Sequence, residues 1–134
     1  MNASSGQTSS DAADTVVGLF NLRGVQAREA LARFAGDQDR YRHWLLEFVS
    51  HGPAAALQIR QAIMNGSQDT ATTLAHSFKG RTGMLGMVEL HSIAQSLEMT
   101  LRNSEPTALW LEELELTVAE MSKQISEVLG ERST

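Results

Sequence analysis

The sequence predicts an all-α protein: an up-down antiparallel four-helix bundle with one or two additional helices at the N-terminus. Three observations predict it. Ala, Leu, Glu, Gln and Arg dominate, while proline occurs twice and aromatic residues make up 5% of the chain; this balance favours helix. Runs of Val, Ile, Thr and Tyr of the kind that build strands are missing. Apolar residues recur at helical spacing in several segments separated by short polar links, and short links between long amphipathic helices make neighbours antiparallel. The 134 residues suit one domain with a core of its own.

The elements follow in order. Residues 1–12, opening "MNASSGQTSS", read as a flexible polar tail or linker with neither the basic nor the apolar region of a secretory signal. The helical domain is expected over 13–130, with a short tail at 131–134. "GVQAREALARFA", about 24–35, carries Ala27, Leu31 and Phe34 on one side. "GDQD" breaks it, and Asp37 or Asp39 can cap the next helix. There Tyr41, Trp44, Leu45, Phe48 and Val49 form an amphipathic stripe. Gly52-Pro53 is expected to bend or restart the chain, and the piece to about Met64 buries Ala56, Ile59 and Ile63. "NGSQD" is a turn ending in a cap for a helix from about Thr70 to Leu85. A link through Gly86 leads to a helix at about 88–103. "NSEPT" is the last boundary, with Ser104 as N-cap and Pro106 in the first turn of a helix at about 106–129. That helix carries Leu111, Leu114, Val118, Met121, Ile125 and Val128 in heptad-like spacing. Met64, Met84, Met87, Met99 and Met121 are expected as core or core-edge filler.

Charge and composition exclude several functions. The net charge is −5, which argues against nucleic acid as a partner. The middle of the chain is the less acidic part: Lys79, Arg81 and Arg102 stand against Glu89 and Glu98 over 70–103, which suits an acidic partner surface. There is no cysteine, hence no disulfide framework and no thiolate metal site, in keeping with a reducing compartment. No apolar run is long enough to span a membrane, so a cytoplasmic location is expected. His43, His51 and His91 are scattered without metal-ligand spacing, and no metal site is expected.

The stretch with chemistry in it is "AHSFKGRTGMLG", Ala75 to Gly86. Leu74, Phe78 and Leu85 fall along one side of its helix, with Ala71 and Ala75 flanking. At 100° per residue His76 lies 200° from Leu74 and Phe78, on the solvent side. Lys79, Gly80 and Gly83 share its face. Glycine costs an exposed helix roughly 1 kcal/mol relative to alanine, so Gly80 and Gly83 are expected to leave a bare patch of backbone beside an exposed histidine. In the next helix a polar stripe of His91, Gln95, Glu98 and Arg102 runs beside the core positions. In a hairpin turning near residue 87, Glu98 reaches the level of His76. A carboxylate there accepts the Nδ1–H of the imidazole and leaves Nε2 as a free nucleophile; the alternative is a solvated surface acid.

"AHSFKGRTGMLG" followed by "LHSIAQSLE" resembles the histidine-containing phosphotransfer (HPt) domain family of bacterial multistep phosphorelays. The resemblance rests on the H-x-x-K-G core at His76, Lys79 and Gly80, then Gly83, Leu85 and Gly86, and a closing Leu97-Glu98. "ALARFAGDQDRYRHWLLEFV" is similar to the upstream helices of the family. The resemblance implies that His76 accepts a phosphoryl group, that Lys79 stabilises its charge, and that Glu98 orients the His76 ring. Gly80 and Gly83 would let a partner come close, and Arg81 and Met84 would influence which partner docks. The implied partners are receiver domains of response regulators or of hybrid sensor histidine kinases, with Mg²⁺ on the receiver and no cofactor on this chain. A monomer is expected, free-standing or as the C-terminal module of a hybrid kinase. Glutamate at 98 resembles the phosphotransfer domain of chemotaxis kinases, whereas relay members often carry glutamine.

Two rival readings predict different behaviour. In the phosphoacceptor helix pair of a sensor kinase the histidine is typically followed by an acid and then a proline. Here Ser77 follows His76 and the next proline is Pro106. No nucleotide-binding box accompanies it, so ATP-dependent kinase activity is not expected. A non-catalytic adaptor would bind a receiver or kinase domain without phosphotransfer and would leave Gly80 and Gly83 unexplained.

Overall fold

The computed structural model describes residues 22–129. The expected tails at 1–12 and 131–134 lie outside the described residues. Within them, Asp37 starts the first long helix as expected, its side chain accepting from the Arg40 amide at 3.1 Å. The elements are α1 (Ala27–Arg33), α2 (Gln38–Met64), α3 (Gln68–Met84), α4 (Val88–Arg102) and α5 (Ala108–Val128). Among the described residues one short helix therefore precedes the four long ones.

The long helices form a ring in which α2 packs on α3, α3 on α4, α4 on α5 and α5 back on α2, with no comparable diagonal pairing. Contacts between α3 and α4 step outward from the turn on both helices at once. His91 meets Lys79, Glu98 meets His76, and the Leu101 carbonyl accepts from Gln68. This is the up-down antiparallel arrangement. Its core is made of residues at helical spacing: Tyr41, Leu45, Phe48 and Ile59 from α2, Phe78 from α3, Leu90 and Leu97 from α4, and Leu114, Val118 and Ile125 from α5, all at most 2% exposed. Full burial of each large apolar side chain stabilises the fold by roughly 1.5–3 kcal/mol. Arg60 and Glu115 clasp α2 to α5 through two hydrogen bonds of 2.6 Å. The Arg60 hydrogen bonds hold the Glu115 carboxyl below the usual carboxylate range against the opposing effect of burial.

Three boundaries differ from the sequence expectation. Gly52-Pro53 neither bends nor restarts the chain; α2 runs through it unbroken. A residue before proline is normally driven out of the helical region by a clash involving its Cβ, and Gly52 has none. Its bare face is also used, because a Cβ there would sit 3.1 Å from the Phe48 ring. Ser104 is not the N-cap of the last helix. It ends α4 in the left-handed region (φ 55°), with its amide on the Leu101 carbonyl and the Glu105 amide on the Thr100 carbonyl. This is a Schellman closure with serine where glycine is usual. Thr107 occupies the N-cap of α5, and Pro106 precedes the helix. The first helix is shorter than expected because Gly24 (φ 78°) and Ala35-Gly36 (φ 55° and 77°) turn the chain at its two sides. The methionines split: Met87 and Met121 are buried, but Met64, Met84 and Met99 are more than half exposed.

The turn between α3 and α4 is fixed from outside the hairpin. Gly86 takes φ 79°, and a Cβ on it would lie 2.7 Å from the Gln26 carbonyl oxygen. The Gln26 amide donates to the Gly86 carbonyl and the Val88 amide to the Gly24 carbonyl. The segment before α1 thus straps the end of the helix that carries His76.

Candidate functional site

The site is built on the outer face of α3 and the adjoining flank of α4. α3 buries Ala71, Ala75, Phe78 and Thr82, which turns His76 outward. The His76 side chain is 61% exposed. Lys79 follows one turn on, partly covered, and Gly80 is open: a Cβ there would meet nothing within 4 Å. The bare patch therefore holds at Gly80. It does not hold at Gly83, where a Cβ would sit 2.9 Å from Nδ1 of His91. The His91 ring from α4 lies over Gly83, with Nδ1 2.9 Å from the Lys79 carbonyl. Gly83 is bare so that α4 can pack this ring against α3.

Glu98 is buried at 4% exposure, so it is not a solvated surface acid. Its Oε2 lies 3.0 Å from Nδ1 of His76 and accepts from Nε and Nη2 of Arg102 at 3.0 and 2.6 Å. Nζ of Lys79 stands 2.9 Å from Oε1. Burial pushes the Glu98 carboxyl up, and the donors Lys79, Arg102 and His76 together outweigh it, bringing it down to about 2. An ionised carboxylate only accepts. In the neutral ring the hydrogen is therefore on Nδ1, and Nε2 keeps its lone pair on the exposed side.

Because this carboxyl ionises more readily folded than unfolded, its stabilisation is complete above its ordinary value of 4.5 and disappears as pH falls from there through about 2. Stability measured by chemical denaturation should fall across that window, and Glu98→Gln should flatten that part of the profile. An unchanged slope in the variant would show that Glu98 contributes nothing to it.

Two further side chains hold the C-terminal end of α3. Arg33 donates from Nη1 to the carbonyls of Gly83 and Met84, at 2.9 and 3.2 Å. Buried Tyr41 donates to the Leu85 carbonyl at 2.8 Å, and desolvation raises its hydroxyl to about 12 despite the nearby Arg33 charge. Tyr41→Phe should cost about 1–2 kcal/mol, because the Leu85 carbonyl is left buried without that donor. A denaturation midpoint equal to wild type would mean that water replaces the hydroxyl.

Beside His76 an apolar groove of about 820 Å³ runs between α2 and α3. Trp44 and Phe48 line one wall, and Gly80, Arg81 and Met84 the other. The structure thus brings together His76, Lys79 and Glu98 as one cluster, and Gly80, Arg81 and Met84 as one wall. Sequence reasoning left out Arg102, His91, Arg33 and Tyr41 as supports of the site. The four-residue spacing of Glu98 and Arg102 was a usable signal; the long-range contacts of Arg33 and Tyr41 had none. Among the described residues no group of three or more His, Cys, Asp or Glu is placed to hold a metal ion, and no helix is long and apolar enough to cross a membrane.

No curated protein and no solved structure matches the chain. The family model of the Hpt domain matches residues 43–129, which takes in α3, α4, α5 and all but the first residues of α2. With that match over well more than half of its length, in an all-helical bundle, the chain belongs to the Hpt domain family, the histidine phosphotransfer modules of phosphorelays.

Proposed function

We propose that His76 accepts a phosphoryl group from the aspartyl phosphate of one receiver domain and passes it to the aspartate of another. In this reading the protein acts in the cytoplasm, free-standing or as the C-terminal module of a hybrid sensor kinase. The observation that carries the proposal is the orientation of the imidazole, with Nδ1 on an ionised, buried carboxylate and Nε2 facing outward on an exposed ridge.

The chemistry follows from that orientation. The Nε2 lone pair attacks phosphorus, the N–P bond forms, and the P–O bond to the donor aspartate breaks with its electron pair leaving on the carboxylate. No proton has to move. Nδ1 keeps its hydrogen, and the positive charge that appears on the ring is offset by Glu98. The loose transition state gathers charge on the equatorial oxygens. Lys79, one turn from His76, is the cation on this chain for those oxygens. The receiver brings its aspartate and Mg²⁺. Gly80 lets the receiver approach the α3 backbone, and the groove edged by Arg81 and Met84 takes its docking surface. Water is excluded only on docking, so the site can stay open between transfers.

The test is direct. Receiver domains are phosphorylated with acetyl phosphate and Mg²⁺, then mixed with this protein. Acid-labile, alkali-stable phosphate on the protein is expected with at least one receiver. Receivers that bind it without transferring label would overturn the proposal in favour of a non-catalytic adaptor.

A further inference from the structure

Arg102 stands at the end of α4, one turn beyond Glu98. It directs two nitrogens onto Oε2, the same oxygen that takes the His76 hydrogen, and none onto Oε1. Lys79 has Oε1 to itself. The two cations are thus divided between the two oxygens of one carboxylate. The division matters because, on the reading above, Lys79 has a second duty: to reach the phosphoryl oxygens it must leave Oε1. A carboxylate held only by Lys79 and His76 would be drawn between them, and following Lys79 would take Oε2 from the imidazole.

We propose that Arg102 is a positioning residue that pins Glu98 Oε2 against His76 Nδ1 while Lys79 exchanges Oε1 for the phosphoryl group. The pair of donors fixes the direction of the carboxylate as well as its charge. Lys79 sits on the other oxygen, 2.9 Å from Oε1, so its departure leaves the Arg102 bonds to Oε2 in place. Arg102 itself is 57% exposed, and its two hydrogen bonds go to Glu98. It acts through Glu98, keeping the hydrogen on Nδ1 and the lone pair on Nε2. A free imidazole has no such constraint, and its tautomer follows whatever bond its other nitrogen makes.

The inference rests on the proposed role of His76 but is read separately from it. Arg102→Ala, Arg102→Gln and Arg102→Lys are compared with wild type, with circular dichroism as the check on folding. The exposed position leaves at least the longer replacements folded. The first readout is the tautomer of His76, from nitrogen-15 spectra at pH ~9, where histidine rings are neutral. Wild type should show the hydrogen on Nδ1. Arg102→Ala and Arg102→Gln should move population to the Nε2–H form, with Arg102→Lys between them and wild type. The second readout is phosphotransfer from a phosphorylated receiver. The maximal rate should fall roughly 3- to 10-fold in Arg102→Ala, with the receiver concentration at half-maximal rate unchanged.

An unchanged tautomer with a raised half-maximal receiver concentration would overturn the proposal, because Arg102 would then be a docking contact. Unchanged tautomer and rate would overturn it too. If wild type takes no phosphoryl group from any receiver, the phosphotransfer reading fails, and the tautomer still decides whether Arg102 positions His76 through Glu98.

Discussion

His76→Gln is expected to abolish phosphoryl acceptance, by about a thousand-fold or more, and to leave the bundle folded. Both halves follow from position. The side chain is 61% exposed, so its replacement removes no core contact, and the glutamine amide can still donate to Glu98. The nucleophile has no substitute on this face. His91 is turned inward, with Nδ1 on the Lys79 carbonyl, and Gly80 offers only backbone. His51 lines the groove on the α2 side, with Nδ1 against Glu47 of its own helix. The experiment compares acid-labile phosphate on the two proteins after mixing with phosphorylated receivers, and helical content by circular dichroism. Equal labelling would assign the acceptor elsewhere, and phosphopeptide mapping would show whether it is His51. Loss of helical signal would contradict the outward geometry of the ring.

Much of the site was legible because a helix converts spacing into direction. His76 could be set opposite Leu74 and Phe78 from 100° per residue alone, and Glu98 set level with it by counting outward from a turn near 87. The core stripes of α2, α4 and α5 were legible for the same reason. The depth of Glu98 was not. Its spacing puts it at the flank of the α4 stripe, and the side chains of His76, Lys79 and Arg102 gathered on it accompany its 4% exposure. Gly52-Pro53 misled because proline ordinarily interrupts a helix, while a glycine before it removes the Cβ part of the clash with the preceding residue. Ser104 misled because a residue that favours N-caps also tolerates a C-terminal turn, and the local sequence does not say which helix it closes. The exposed Met64, Met84 and Met99 show the same limit: apolar character places a residue near a core stripe but not inside it.

The two glycines of α3 should respond to substitution with opposite signs. Gly80 faces open space and has an ordinary helical φ, so Gly80→Ala should raise stability by about 0.5–1 kcal/mol through helix propensity alone. Gly83→Ala gains the same propensity, but its methyl would arrive 2.9 Å from Nδ1 of His91. The ring is partly buried and held on the Lys79 carbonyl, so it cannot swing clear without losing that bond. A net loss of about 1–2 kcal/mol is expected. Gly83→Ala combined with His91→Ala should recover most of the clash, a coupling that a double-mutant cycle measures directly. Function should divide the other way. Gly80→Glu adds bulk and negative charge at the open patch beside His76, where an acidic receiver surface has to approach. Transfer should drop roughly a hundred-fold through weaker docking, with the fold at least as stable as wild type. Denaturation midpoints and transfer rates on these variants, with wild type and the single His91→Ala variant beside them, decide the matter. Stabilisation by Gly83→Ala would show that His91 does not need the bare backbone, and undiminished transfer in Gly80→Glu would show that the receiver does not approach over Gly80.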